Sequence, residues 1–282
     1  MKLSAIKALL REHDIQLTRS LGQSFMHDEN QVAGIADLAE VGADDDVFEI
    51  GPGLGPLTEV LLARAKSVLA IEVDERLVRV LKKRFEGKSG FGLIHTDALA
   101  YVREKQVNWS DWKLVSNLPF SVGTPILVEL AEPGSIPRSM TVTLQKEVAD
   151  RIAAGPGTKA YGVLTLLLQA TCKLGGEFII PADCYFPPPA VDTSCIRLTR
   201  RETPIVSDDL HPTFVKVVKR GFSQRRKMML KLLKQDWTAE NLAVAYQIAG
   251  IDEKVRAEAL EIGQFVELAR ALKGDSTGEP DA

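Results

Sequence analysis

The segment VFEIGPGLGPLTEVLL at residues 47–62 constrains this chain more than any other. A strand-like run ends in three alternating glycines, Gly51, Gly53 and Gly55, and a helical pattern follows at once. Glycine is needed where a chain turns sharply from strand to helix and its backbone must approach a ligand without a Cβ in the way. The same alternation continues downstream. Strand-like stretches at 47–50, 68–72, 91–95, 113–116 and 140–144 are separated by helical patterns at 57–65, 75–85, 125–131 and 147–154. Such an order predicts βαβ units, hence an α/β fold with a parallel, Rossmann-like sheet and helices on both faces. Upstream, a Ser4-capped helix is expected to His13 and an Asp28-capped one to Glu40. Tyr161–Leu174 reads as a buried helix, with a strand as the alternative, and 178–180 and 194–199 as an antiparallel pair closing the sheet.

Character changes after Arg201. ETPIVSDDLHP is linker-like, and helical patterns without strands follow at 213–221, 225–234, 239–249 and 264–273. At roughly 150 residues per domain, 282 residues fit one large domain with a small partner. The boundaries expected are a sheet domain over 1–202, a helical domain over 205–273 and a disordered tail over 274–282. Apolar residues at 45% and charged ones at 26% exclude disordered, collagenous and coiled-coil classes. No run approaches the roughly 18 apolar residues of a membrane span, and the N-terminus has no signal-peptide pattern. Cys172, Cys184 and Cys195 lack CxxC spacing, so neither a disulfide frame nor a metal site is expected. A cytoplasmic protein follows.

Two carboxylates narrow the glycine loop. Glu72 ends the next strand, about 20 residues on, where a carboxylate can accept both ribose hydroxyls. Asp97 follows the third strand in LIHTDAL, placed either to accept from an adenine amine or to cap the next segment. Together they describe an adenosine pocket. Their spacing does not separate NAD from S-adenosylmethionine. The loop lacks the final glycine of GxGxxG, however, which disfavours a pyrophosphate. No Tyr–Lys or His constellation suits an oxidoreductase either.

VSNLPFSVGTPIL speaks to the reaction. Asn117 follows a strand, Pro119 stiffens the turn and removes a donor, and Phe120 offers a face to a flipped-out base. The Asn117 oxygen and a backbone carbonyl freed by the proline can both accept from one amine. An adenine N6 so held becomes pyramidal and nucleophilic, and positioning with electrostatics suffices for an in-line displacement on a sulfonium methyl. The bland alternative is a β-turn with a buried phenylalanine.

The net charge of −3 counts against a nucleic-acid partner until its distribution is read. Residues 216–234 carry eight basic side chains in nineteen and no acid, against an acidic stretch such as VGADDDVFEI. Lys219, Arg220, Arg225, Arg226 and Lys227 belong to that run. Arg225, Arg226 and Lys227 open the helix expected at 225–234, an unfavourable place for cations unless an anion lies near. Lys146, Arg151 and Lys159 extend the track if they are more than ordinary surface charge.

LGQSFM, EIGPGLGPLT, IEVD, TDAL, NLPF, LQKEVADRIAAGPGTKAYG, FPPPAVD and GFSQRRK occur in this order over nearly the whole chain. The chain thereby resembles the ribosomal RNA adenine N6-dimethyltransferases, most closely those acting on small-subunit RNA. The resemblance implies a class I S-adenosylmethionine methyltransferase sheet with a small all-α C-terminal domain. It also implies N6,N6-dimethylation of two adjacent adenosines near the 3′ end of 16S rRNA in an immature small subunit; nothing in the sequence demands more than a monomer. It places cofactor contacts on Ser24, Met26, Gly51, Glu72, Asp97 and Asn117, beside Gly53 of the loop. It places target-base contacts on Asn117, Leu118, Pro119 and Phe120, and on Phe186, which stacks on the base's other side. Ser24 stands where the family usually has Asn, Met26 where it has Leu, and Phe120 where it has Tyr; Ser24, being shorter, is the weakest carry-over. A 23S rRNA adenine methyltransferase of the resistance type and a non-catalytic assembly factor with the same fold are the rivals. NLPF, FPPPAVD and SQRRK favour the small-subunit reading, and a pure binder has no need of the glycine loop and both acids.

Overall fold

The computed structural model describes residues 1–17, 23–104, 107–134 and 136–274. Spatially the chain forms two compact units, Met1–Ala149 with Lys173–Arg200, and Asp150–Cys172 with Arg201–Ala282. The segment before residue 173 that groups with the C-terminal helices falls inside the sheet domain anticipated from sequence. The expected tail at 275–282 lies outside the described residues, as do residues 18–22 of the loop after the first helix.

The first unit begins with α1 (Leu3–Glu12), β1 (Phe25–Met26) and α2 (Glu29–Leu38). Then β2 (Asp46–Ile50), α3 (Pro56–Leu62), β3 (Ser67–Glu72), α4 (Glu75–Arg84), β4 (Phe91–His95) and α5 (Ala98–Arg103) alternate. β5 (Trp112–Asn117), α6 (Gly123–Leu130), β6 (Ser139–Gln145) and α7 (Lys146–Ala153) continue the pattern. α8 (Val163–Thr171) runs straight into β7 (Cys172–Ile180), and β8 (Tyr185–Phe186) and β9 (Thr193–Arg200) end the sheet region. The stretch 161–174 therefore divides: its Leu-rich part is helical and its end starts a strand.

Seven strands order as β4-β3-β2-β5-β6-β9-β7, with β4 to β6 parallel and β9 antiparallel to β6. The chain leaves β2 toward β4 in one direction and returns through β5 toward β6 in the other. The switch between β2 and β5 is where an open sheet of this kind leaves a crevice at its carboxyl ends. Alternation along each strand divides the packing. Val47, Val68 and Val115 face a core with Ile35 of α2 and Leu57 and Leu61 of α3, while Phe48 stacks on Trp109 with centroids 4.1 Å apart.

Helix starts follow local chemistry. Asp28 Oδ1 accepts from the backbone N–H groups of Asn30 and Gln31, and Asp74 Oδ1 from that of Arg76, each filling an otherwise orphan donor. Ser4 does not cap α1, which starts one residue earlier with no side-chain cap. What holds α1 is its apolar face: Ile6 and Leu10 pack with Phe25, Leu54 of the glycine loop, and Leu77 and Val80 of α4. β1 and β8 form a separate two-stranded ribbon pairing Phe25 with Phe186 and Met26 with Tyr185. Two residues carry no periodicity, so no sequence pattern marks them.

The second unit holds α8 with α9 (His211–Phe222), α10 (Met229–Leu233), α11 (Ala239–Ile248) and α12 (Ile262–Ala271). Its core includes Tyr161 edge-on to Phe222, and Phe222 stacked on Phe265 at 6.0 Å. The Tyr161 hydroxyl donates to Leu260 O at 2.9 Å and Gly157 N to Glu258 O at 2.7 Å, which tie the 150–172 segment to these helices.

Candidate active site

A cavity of about 320 Å³ opens at the carboxyl ends of β2, β3 and β5. Its wall brings together Ser24, Met26, Gly51, Gly53, Glu72, Asp97, Asn117, Leu118, Pro119 and Phe120, which come from five separate stretches of the sequence. Phe186 is not part of that wall. It sits across the ribbon from Phe25, half-buried, with the Lys7 ammonium 5.0 Å from its ring centroid.

The glycines earn their place by geometry. Gly51 and Gly53 take φ of +66° and +62°, left-handed values that disfavour side chains. A Cβ on Gly51 would lie 2.9 Å from Pro119 Cγ, and one on Gly53 would lie 2.9 Å from Phe25 Cε1. The loop backbone is thus in contact with the NLPF turn on one side and with β1 on the other.

Three carboxylates, Glu49, Glu72 and Asp97, line the cavity. Glu72 accepts from the backbone N–H groups of Val73 and Asp74 at 2.9 Å and of Gly53 at 3.3 Å. Burial raises its pKa, and those three bonds oppose the rise. Glu49, fully buried behind the loop, accepts from the Thr58 hydroxyl at 2.6 Å, and burial pushes it up to about 8, with the nearby Glu72 adding to the rise. Sequence reasoning missed Glu49, because an acid in mid-strand before glycines looks like an ordinary exposed position. Beside it, Asp74 is held down to about 2, chiefly by hydrogen bonds from Arg76 at 2.9 and 2.6 Å, with Gln23 donating to it at 2.8 Å.

Asp97 performs the capping role: its Oδ1 accepts from Ala100 N at 2.8 Å at the start of α5, and the residue also lines the cavity. Ser24 turns its hydroxyl to Pro187 O at 2.7 Å and so ties the segment before β1 to the FPPPAVD loop. Asn117, opposite Thr143 in the β5–β6 register, accepts at Oδ1 from the Thr143 hydroxyl and, at 3.4 Å, from Tyr185 Oη. Its Nδ2 points at Ser24 O, 3.5 Å away. The Leu118 carbonyl, followed by a proline that offers no N–H, receives no hydrogen bond among the described residues. Thr143 and Tyr185 were not legible as site residues, since one is buried in the strand SMTVTLQ and the other lies in β8, a strand of only two residues.

The arrangement fits S-adenosylmethionine. The cavity is lined by the glycine loop and by Glu72, whose carboxylate at the end of β3 suits ribose hydroxyls and a cationic ligand better than a pyrophosphate.

In the second unit the basic residues separate into two kinds. Arg220 pairs with Asp236, Nη2 lying 3.1 Å from Oδ1, and donates to Gln235 at 2.7 Å. Arg225 donates to Lys159 O at 2.7 Å and to Tyr161 O and Glu258 at 3.3 Å. Lys219, Arg226 and Lys227 are exposed and have no partner among the described residues. Arg225, Arg226 and Lys227 do not open a helix: they lie in the turn between α9 and α10, which begins only at Met229. The dipole argument for a nearby anion therefore falls, while Lys219 and Arg220 occupy the last turn of α9, where cations are favoured. Lys146 opens α7 in the first unit, and Arg151 and Lys159 belong to the second.

Residues 15–273 match the family model described as ribosomal RNA adenine dimethylase. The chain is 38% identical over 275 residues to ribosomal RNA small subunit methyltransferase A of Clostridium acetobutylicum, covering 95% of this chain and 98% of the relative. It is 38% identical over 281 residues to the protein of the same name from Streptococcus pneumoniae, with 96% and 97% covered. Among solved structures it resembles a dimethyladenosine transferase from Plasmodium falciparum, with TM-score 0.73 and 23% identity over 89% of this chain and 99% of that one. The 23S rRNA methyltransferase ErmE aligns with TM-score 0.66 and 22% identity over 88% and 99%, a likeness of fold.

Proposed function

The chain belongs to the ribosomal RNA adenine dimethylase family, and from that premise we propose that it dimethylates N6 of two adjacent adenosines near the 3′ end of 16S rRNA in the immature small subunit. It is an S-adenosylmethionine-dependent adenine dimethyltransferase of the small ribosomal subunit, with the class I methyltransferase sheet. In this reading the first unit carries cofactor and target base, and the second unit meets rRNA through Lys219, Arg226 and Lys227. The setting is the cytoplasm, where a single copy of the chain meets the assembling subunit.

S-adenosylmethionine supplies an electrophilic methyl on a cationic sulfur. Glu72 accepts from ribose hydroxyls, and Asp97 Oδ2 accepts from the adenine amine while Oδ1 keeps its cap. Asn117 Oδ1 and the unengaged Leu118 carbonyl receive the two N6 hydrogens of the target in the first transfer and the one that remains in the second; each N6–CH3 bond forms as the S–CH3 bond breaks, and one N6 proton is released to solvent. Held in two acceptors, that nitrogen turns pyramidal and its lone pair leaves the ring. Phe120 stacks on one face of the flipped base and Phe186 on the other. Barrier reduction comes from orientation and fixed dipoles, each of which supplies several kcal/mol in sites of this kind.

The observation carrying the proposal is the NLPF turn: its Pro119 ring lies against Gly51 of the cofactor loop, so the two ligands are brought to one crevice. The test is labelled cofactor with undermethylated small subunits and, separately, large subunits, followed by mass spectrometry of the 16S 3′ fragment. Dimethyladenosine in that fragment is expected, and Asn117→Ala should lower the rate by about 10²-fold or more. Retained activity in Asn117→Ala refutes the mechanism. Label on the large subunit would replace the substrate, and absence of cofactor binding would return the assembly-factor reading.

A further inference from the structure

The oxygen of Asn117 is the acceptor that the mechanism above offers to the target amine, yet hydroxyl groups already surround it. Thr143 Oγ1 donates to it, and Tyr185 Oη lies 3.4 Å away. Tyr185 Oη is also 2.7 Å from Thr193 Oγ1, with either atom able to donate, and Thr193 Oγ1 is 3.3 Å from the Ile180 carbonyl oxygen. Thr143 and Thr193 are fully buried and Tyr185 is 2% exposed, so water does not supply alternatives. Burial also pushes the Tyr185 hydroxyl up to about 12, which keeps its proton in place at working pH.

Each hydroxyl carries one proton, and two of the orders this allows keep the 2.7 Å Tyr185–Thr193 bond and differ at Asn117. In the first, Thr193 donates to Tyr185 and Tyr185 donates to Asn117 Oδ1. In the second, Tyr185 donates to Thr193 and Thr193 donates to Ile180 O. Both orders make two hydrogen bonds along the chain, and Thr143 donates to Asn117 in both. They differ in one respect: the first occupies the second lone pair of Asn117 Oδ1, and the second leaves it open. Ser24 O, which can only accept, fixes the amide with Nδ2 toward that carbonyl and Oδ1 toward the hydroxyls.

We infer that Tyr185 and Thr193 are positioning residues forming a hydroxyl switch: it holds the Asn117 oxygen while no base is present and yields that lone pair to the target amine by rotating two O–H bonds. Because the hydrogen-bond number is conserved, the incoming amine displaces nothing that the array does not regain. The inference deepens the function proposed above and rests on it, since it requires the Asn117 oxygen to receive the target N6–H.

Removing the alternative acceptor tests this. In Thr193→Val the Tyr185 proton loses its acceptor at 2.7 Å and turns toward Asn117 Oδ1, so Tyr185 competes with the target. The single-turnover rate on undermethylated small subunits should fall by about tenfold, in keeping with one contested hydrogen bond. Cofactor Kd, read by calorimetry, should stay unchanged. The double variant Tyr185→Phe/Thr193→Val removes the competing proton as well and should recover to within about threefold of the wild-type rate. A merely structural role makes the double variant as slow as the single one or slower. Thr193→Ser, which keeps the hydroxyl, should match the wild type. If Thr193→Val does not fold by thermal melting, Thr193→Cys against Thr193→Ser gives the same readout, because a thiol is a poor acceptor. An active wild type with an unslowed Thr193→Val, or a double variant that does not recover, overturns the switch alone; a wild type that transfers no methyl overturns the function on which it rests.

Discussion

Gly51→Ala separates two effects that usually travel together. The residue has φ +66°, so any side chain there adopts a left-handed conformation at a cost of roughly 1–2 kcal/mol. The added methyl would also lie 2.9 Å from Pro119 Cγ and 3.2 Å from Cδ, against an ordinary carbon–carbon separation of about 3.5–4.0 Å. Both atoms belong to a ring pinned by the backbone, so the NLPF turn as a whole must retreat by several tenths of an ångström. A displacement approaching 1 Å at reacting groups costs about 10²-fold in rate. Gly87→Ala is the matched control: φ is +71°, yet nothing lies within 4 Å of its Cβ. Both variants should lose about 2–4 °C in Tm per kcal/mol of strain. Only Gly51→Ala should lose methyl transfer to undermethylated small subunits, by one to two orders of magnitude. Equal transfer rates for the two alanines would refute the claim that the Gly51–Pro119 contact sets the position of the catalytic turn.

Three further outcomes are expected. Glu49 has its pKa raised to about 8, so the stability it lends is fully present below its unfolded pKa and is lost as pH rises through 8; Glu49→Gln should flatten the fall of Tm between pH 5 and 9, and parallel melting profiles would contradict this. Arg225→Ala should destabilise the helical unit by about 1 kcal/mol, a charged hydrogen-bond loss discounted for partial exposure, whereas Arg226→Ala should leave Tm alone and reduce the salt slope of rRNA binding by about 0.7. Ser24→Ala removes the bond to Pro187 O, so it should raise KM for the subunit while cofactor Kd from calorimetry stays within about twofold; a change in Kd alone would favour the cofactor role that the resemblance implies.

What could be read from the sequence is what is local. The glycine loop, Glu72, Asp97 and NLPF each sit at a strand end, and strand ends follow from alternation over five or six residues. All of them reach the one cavity. The β1–β8 ribbon was not legible, because two-residue strands have no period and their partners are 161 positions apart at Phe25 and Phe186. Residues 225–228 read as the start of a helix because RRKMML has helical composition, yet the helix begins at Met229 and Arg225 reaches back to the carbonyls of Lys159 and Tyr161. The hydroxyls of Thr143, Tyr185 and Thr193 meet only through strand register, and Thr in a strand is unremarkable by itself.

The crevice between β2 and β5 also divides recognition between two halves of one sheet. In the function proposed above, residues after β2, β3 and β4 serve the cofactor and the turn after β5 serves the target base. For anyone wishing to redirect such an enzyme to a different base, the loop from Leu118 to Val122 is a module that can be randomised without touching Glu72 or Asp97. The seam between the modules is the missing methyl of Gly51, filled by Pro119. A library that keeps those two positions fixed preserves the joint and varies only what it presents.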